Sequence, residues 1–139
     1  MPMIKATVDE INKLNSNTLS EELGIVFTEI GADFVSAKMP VDHRTKQPFG
    51  LLHGGASVAL AETLGSVAAN LVTGFQSSCV GVEINANHLL SVKEGFVYGT
   101  AKPIRIGKSM HVWGIEIKDE KDNMICISRL TVLVKSKGV

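Results

Sequence analysis

Between Gly54 and about Thr73 the chain reads GGASVALAETLGSVAANLVT, rich in alanine and apolar almost all round. Such a segment predicts a helix with protein on every side, and Gly74 supplies the stop. The rest of the chain must then be arranged to wrap it. The same stretch holds the one candidate membrane span, Ala56 to Val72, but it is short for a bilayer and carries Glu62 near its middle. A buried helix of a soluble domain is the expectation, with no membrane partner.

The flanking sequence supplies strands. A short surface helix is expected from about Thr7 to Asn15, after a Thr-x-Asp-Glu start. Two β-like stretches follow, Ile25 to Ile30 and Phe34 to Met39, joined in hairpin style by Gly31-Ala32-Asp33 and ended by Pro40. Val41 to Leu52 is polar and reads as a loop leading into the helix. Beyond the helix come four longer runs, Ser78 to Ser91, Gly95 to Ile106, Met110 to Lys118 and Met124 to Lys135, separated by tight turns.

In the third of these runs His111, Trp113, Ile115 and Ile117 share one face, while Gly114, Glu116 and Lys118 share the other, the period-2 pattern of a half-buried strand. Consecutive strands with short turns pair antiparallel. The expected fold is therefore α+β, a long central helix wrapped by a six-stranded antiparallel sheet, in a single domain over residues 1–139. A Rossmann fold does not fit, because no helices intervene between the strands and no G-x-G-x-x-G follows one.

Charge narrows the partners. Lys plus Arg and Asp plus Glu number 14 each, so nothing favours nucleic acid or an anionic membrane surface, and an anionic ligand must be held by local cations. Cys79 and Cys126 both sit in apolar runs, and the opening Met-Pro-Met-Ile-Lys lacks a leader pattern; a reducing cytoplasm fits. His43, His53, His88 and His111 show no metal-ligand spacing, so no metal is expected. Neither cysteine has a base at readable spacing for nucleophilic work. His111 reads as a core residue beside Trp113, and His88 can be read as a hydrogen-bonded core histidine.

Glu62 is the outlier. A carboxylate flanked by Leu60, Ala61 and Leu64 on a buried helix costs several kcal/mol if charged and unpaired, so something must compensate it. Ser66 and Asn70 continue a polar line at helical spacing, which implies a lined cavity, although back-bonding to the preceding turn would explain either alone. At the helix start, Gln47-Pro48-Phe49-Gly50-Leu51-Leu52-His53-Gly54-Gly55 offers free N–H groups, the positive dipole end and close approach to the backbone, the needs of an oxyanion hole. A glycine pair used for a tight turn is the plain alternative.

Gly54 and Glu62 lie eight residues apart, about 12 Å along a helix. One carbonyl cannot touch both within one chain. If both act on one carbonyl group, the site lies between two subunits, so a homodimer is the minimum.

Together, Gln47 to Ser57, Glu62 and Ser66 resemble the hotdog-fold acyl-CoA thioesterases of the 4-hydroxybenzoyl-CoA and phenylacetate type, most closely the branch acting on 1,4-dihydroxy-2-naphthoyl-CoA in menaquinone synthesis. The likeness extends to Val41-Asp42-x-Arg44-Thr45-Lys46-Gln47, Gly81-Val82-Glu83-Ile84-Asn85-Ala86-Asn87-His88 and Ser128-Arg129-Leu130-Thr131. The resemblance implies that Glu62 attacks the thioester carbonyl or activates a water, that the Gly54 N–H polarises the carbonyl oxygen, and that Gln47 and His53 orient the thioester. Ser66 would stand beside the carboxylate.

It also implies that coenzyme A, a part of the substrate and not a cofactor, is bound on the outer sheet by Gly81, by His88, Leu89, Leu90 and Ser91, and by the turn Arg105, Ile106, Gly107, Lys108, Ser109 and Met110. Arg105 and Lys108 are the cations a neutral protein needs for phosphates. Relatives of this type often carry a basic residue where Leu90 stands. The family usually forms a homotetramer of two dimers. A hotdog dehydratase for 3-hydroxyacyl thioesters, a hydratase, and a non-catalytic acyl-CoA binding module are the competing readings.

Overall fold

The computed structural model describes residues 6–136. The opening Met1 to Lys5, read above for a leader pattern, lies outside them. In chain order the elements are α1 Val8–Leu14, α2 Leu19–Glu22, β1 Val26–Ile30, β2 Val35–Pro40, α3 Gly54–Val72, β3 Ser77–His88, β4 Phe96–Ile106, β5 Met110–Lys118 and β6 Met124–Ser136. The six strands form one antiparallel sheet in the order β1-β2-β4-β5-β6-β3. The expected architecture is present.

Local chemistry explains the ends of the helices. Thr7 caps α1 in a full capping box: its side chain accepts the Glu10 N–H at 3.1 Å while the Glu10 carboxylate accepts the Thr7 N–H at 2.9 Å. His53 caps α3, its Nδ1 accepting the Gly55 N–H at 2.7 Å. The four-residue α2 was not anticipated, because a single turn is too short to show a period.

α3 packs on the sheet against β2, β3, β4, β5 and β6. Leu60, Leu64, Ala68 and Leu71 on the helix meet a buried layer that includes Trp113, Ile115, Ile117 and Leu130. Each large side chain of that layer contributes roughly 1.5–3 kcal/mol by leaving water. The alternation predicted for β5 holds, with His111, Trp113, Ile115 and Ile117 buried and Glu116 exposed.

One expectation fails. Within the chain α3 is not covered on every side: Val58, Ala59, Glu62, Ser66, Val67 and Asn70 are only half-buried. They recur every three or four residues and so form one stripe along the helix. The apolar composition reflected what the stripe requires, and a single sheet can cover only one side of a helix.

The two edges of the sheet are treated differently. At β1 the Asn12 side chain of α1 takes both backbone groups of Phe27, donating to its carbonyl at 3.1 Å and accepting its N–H at 2.8 Å. At β3 the Asn70 amide does the same to Cys79, with bonds of 3.3 and 3.2 Å, and also donates to the Ser66 carbonyl at 2.8 Å. From Gly81 to His88, however, β3 pairs with β6 alone and its other edge stays open among the described residues.

Candidate active site

The loop before α3 is fixed by its own polar groups. Thr45, buried, donates to the Pro40 carbonyl at 2.7 Å, and the Thr45 carbonyl accepts the His53 N–H at 2.8 Å. Arg44 donates to Asp42 at 2.7 Å, and this hydrogen bond holds the Asp42 carboxyl at about 2. Gln47 closes the tip: its N–H donates to the Leu51 carbonyl at 2.8 Å, and its side-chain oxygen accepts the Phe49 N–H at 2.5 Å. The Gln47 amide nitrogen makes no hydrogen bond among the described residues.

Of the first N–H groups of α3, Gly55 is taken by His53 Nδ1 and both Ala56 and Ser57 by the His53 carbonyl, at 3.0 and 3.3 Å. The Gly54 N–H has no acceptor among the described residues. Gly54 lines a cleft of about 640 Å³ between the helix start and the end of β3, together with Gln47, Leu51, Leu52, Ser57, His88, Leu89, Leu90, Ser91 and Ile125. The His88 imidazole lies directly on Gly54: a Cβ there would stand 2.7 Å from its Nε2. Only glycine permits that approach. His88 is thus part of the cleft wall and not a core histidine.

Glu62 stands apart from this cleft. It is half-buried, makes no hydrogen bond or ion pair among the described residues, and its carboxylate lies on Gly81 of β3, with Cδ 3.3 Å from where a Cβ would be. Gly81 therefore serves Glu62, a role distinct from the coenzyme A contact inferred for it. Ser66 lies one turn further along the half-buried stripe. Asn70, read as part of a cavity lining, is instead committed to the Cys79 backbone.

Two groups of expected coenzyme A residues are far apart in one chain. His88 is opposite Cys126, whereas Met110 is opposite Leu133, which faces Val80. The Arg105–Met110 turn thus lies at the Gly81 end of the sheet and His88 to Ser91 at the other, about 20–25 Å away at strand rise. Arg105 and Lys108 are exposed and make no ion pair among the described residues. A separate groove of about 450 Å³ on the sheet face turned away from α3 is lined by Asn85, Lys102, Glu116 and Arg129 among others, and by none of the expected site residues.

Comparison with known proteins decides the family. Residues 49–126, which span the helix start, Glu62, His88 and the Arg105–Met110 turn, match the profile of the thioesterase superfamily. The chain belongs to that superfamily. The thioesterase is 52% identical over 130 residues to the 1,4-dihydroxy-2-naphthoyl-CoA hydrolase of Escherichia coli, covering 94% of this chain and 96% of that one.

Its fold matches a crystal structure of a Haemophilus influenzae thioesterase with a TM-score of 0.97 and 46% identity, covering 100% of this chain and 98% of that one. It also matches a Staphylococcus aureus thioesterase at 44% identity, TM-score 0.80, covering 84% of this chain and 98% of that one. That protein was crystallised as a Gln→Ala and a Glu→Ala variant, with the two substituted positions fifteen residues apart. Gln47 and Glu62 have the same separation in this thioesterase.

Ser57 and the capping role of His53 were not read from the sequence. The first gives no signal beyond a serine on an apolar helix; the second gives none because the usual side-chain caps are Ser, Thr, Asp and Asn.

Proposed function

We propose that this thioesterase hydrolyses an aromatic acyl-CoA of the 1,4-dihydroxy-2-naphthoyl kind, with Glu62 of one subunit working on a thioester held by Gln47, His53, Gly54 and His88 of its partner. The observation that carries the reading is Glu62 itself. A half-buried carboxylate with no donor among the described residues, set on a glycine that leaves it room, is costly to the fold and available to a substrate. It supplies the attacking oxygen in one of two ways: directly, expelling coenzyme A as the thiolate and forming an acyl anhydride that water then hydrolyses, or through a water whose proton it takes and passes to the departing thiolate.

Several features favour a two-subunit site. The Gly54 N–H and the Glu62 carboxylate are separated by two helical turns, and their strand partners His88 and Gly81 by about 20–25 Å. The open edge of β3 runs from Gly81 to His88. Antiparallel pairing of two such edges sets the Gly81 end of one copy beside the His88 end of the other, and an isologous dimer makes both contacts at once. Glu62 then approaches the partner's cleft, and the Arg105–Met110 turn with its two cations joins the His88–Ser91 segment across the interface. The half-buried stripe of α3 is covered in the same step. Two such dimers in a tetramer, as the resemblance implies, would leave this site unchanged.

The aromatic acyl group rests on the 52% identity to the Escherichia coli hydrolase. The fifteen-residue separation shared with the Staphylococcus aureus variants supports Gln47 and Glu62 as the working pair.

The test is mixing of two inactive variants. Glu62→Gln is expected to lose several orders of magnitude in kcat on benzoyl-CoA with little change in KM, and Gln47→Ala to be impaired as well. Co-refolded in equal amounts, half of the dimers are mixed and each carries one intact composite site, so activity returns to about a quarter of wild type. A site within one chain gives no recovery, because every chain is then defective. A comparison of kcat/KM across aromatic, medium-chain and 3-hydroxyacyl CoA esters tests the acyl group; tight binding of all three with no thiol released would establish a binding module instead.

A further inference from the structure

We propose that Ser57 is a second hydrogen-bond donor to the thioester oxygen, acting beside the Gly54 N–H; the inference rests on the thioesterase chemistry proposed above. An oxyanion is stabilised by converging donors aimed where its charge develops. Among the described residues the helix start offers the substrate one free N–H, since those of Gly55, Ala56 and Ser57 are all satisfied by His53. Further donors come from side chains: Gln47 on the loop, already assigned to holding the thioester, and Ser57 on the helix itself.

Ser57 is 1% exposed, yet its hydroxyl has no hydrogen-bond partner among the described residues. A serine inside a helix ordinarily bonds back to the carbonyl four residues earlier, here that of His53. In this chain the His53 carbonyl is occupied by the N–H groups of Ala56 and Ser57. The hydroxyl oxygen is not sealed in the core either: the enclosed and unpaired side-chain atoms are His111 Nδ1 and Trp113 Nε1, while Ser57 lines the cleft together with Gly54 and His88. An almost fully buried hydroxyl without a partner is unfavourable, and a ligand oxygen in the cleft satisfies it.

Position completes the argument. Ser57 is three residues from Gly54, on the same face and about 4.5 Å further along the axis, so one oxygen in the cleft can accept from both. Ser57 stays neutral and protonated throughout. It donates a hydrogen bond that shortens as the carbonyl oxygen gains charge and relaxes when the thiolate departs; no bond to Ser57 forms.

The experiment compares wild type, Ser57→Ala and Ser57→Thr on benzoyl-CoA, with Tm and sedimentation recorded for each. Ser57→Ala is expected to lower kcat by about 10²–10³-fold, the range for removal of one oxyanion donor, with KM within about threefold. Its Tm and assembly stay near wild type, since no internal hydrogen bond is lost. Ser57→Thr, which keeps a hydroxyl, retains most of the rate. The proposal is overturned if Ser57→Ala keeps kcat within about threefold of wild type, if only KM rises, or if the rate falls in step with Tm or with loss of the dimer. Wild-type protein that releases no thiol from any acyl-CoA overturns the parent reading and this one with it.

Discussion

Replacing Gly81 by alanine puts a methyl group where the Glu62 carboxylate now lies. The added Cβ would sit 3.3 Å from Glu62 Cδ and 3.2 Å from Leu130 Cδ1, with Glu62 Oε2 closer still, inside van der Waals contact. Leu130 is fully buried and cannot retreat, so the carboxylate must. To regain normal contact it moves by about 1 Å, a misplacement of the size that costs about 10²-fold in rate.

The fold should tolerate the change. Gly81 does not use a left-handed backbone, strands accept alanine, and the displaced carboxylate is half-exposed with no hydrogen bond to break. Thiol release from benzoyl-CoA, with Tm measured alongside, is therefore expected to show kcat down by about 10²-fold and Tm shifted by only a few degrees. Gly114→Ala is the control, because its Cβ meets the flexible end of Ile104 at 3.3 Å on the sheet face away from α3. A Gly81→Ala enzyme with wild-type kcat would refute the placement of Glu62 on Gly81 as the working geometry.

Asn70→Ala removes the amide that satisfies both backbone groups of Cys79, and a loss of roughly 1–3 kcal/mol is expected, seen as a Tm lower by about 4–12 °C with kcat changed little. Burial holds the His111 imidazole below its ordinary value of 6.5. The unfolded chain then takes up a proton more readily than the folded one, so His111 stabilises fully above about pH 6.5 and that contribution is lost as pH falls toward its folded value. Tm measured from pH 7.5 to pH 5 should decline, and the decline should be smaller in His111→Phe; equal slopes would remove His111 as the cause.

The central helix, the four long strands after it and the alternation of β5 were all legible in the sequence. Each is written in near neighbours: a period of 3.6 or 2, or a stop glycine. Glu62 was legible for the same reason, as a charge where the local pattern leaves no place for one.

What the local pattern could not hold is which distant residue each of these meets. That Gly81 makes room for Glu62, that His88 lies on Gly54 and that Asn70 closes the Cys79 edge depend on the β3 to β6 register and on how α3 lies across it. The open edge of β3 and the uncovered stripe of α3 likewise exist only once the strand order is set. Register and strand order are fixed by the packing of the whole core, where every side chain competes for the same enclosed space, and no short window of sequence records that outcome.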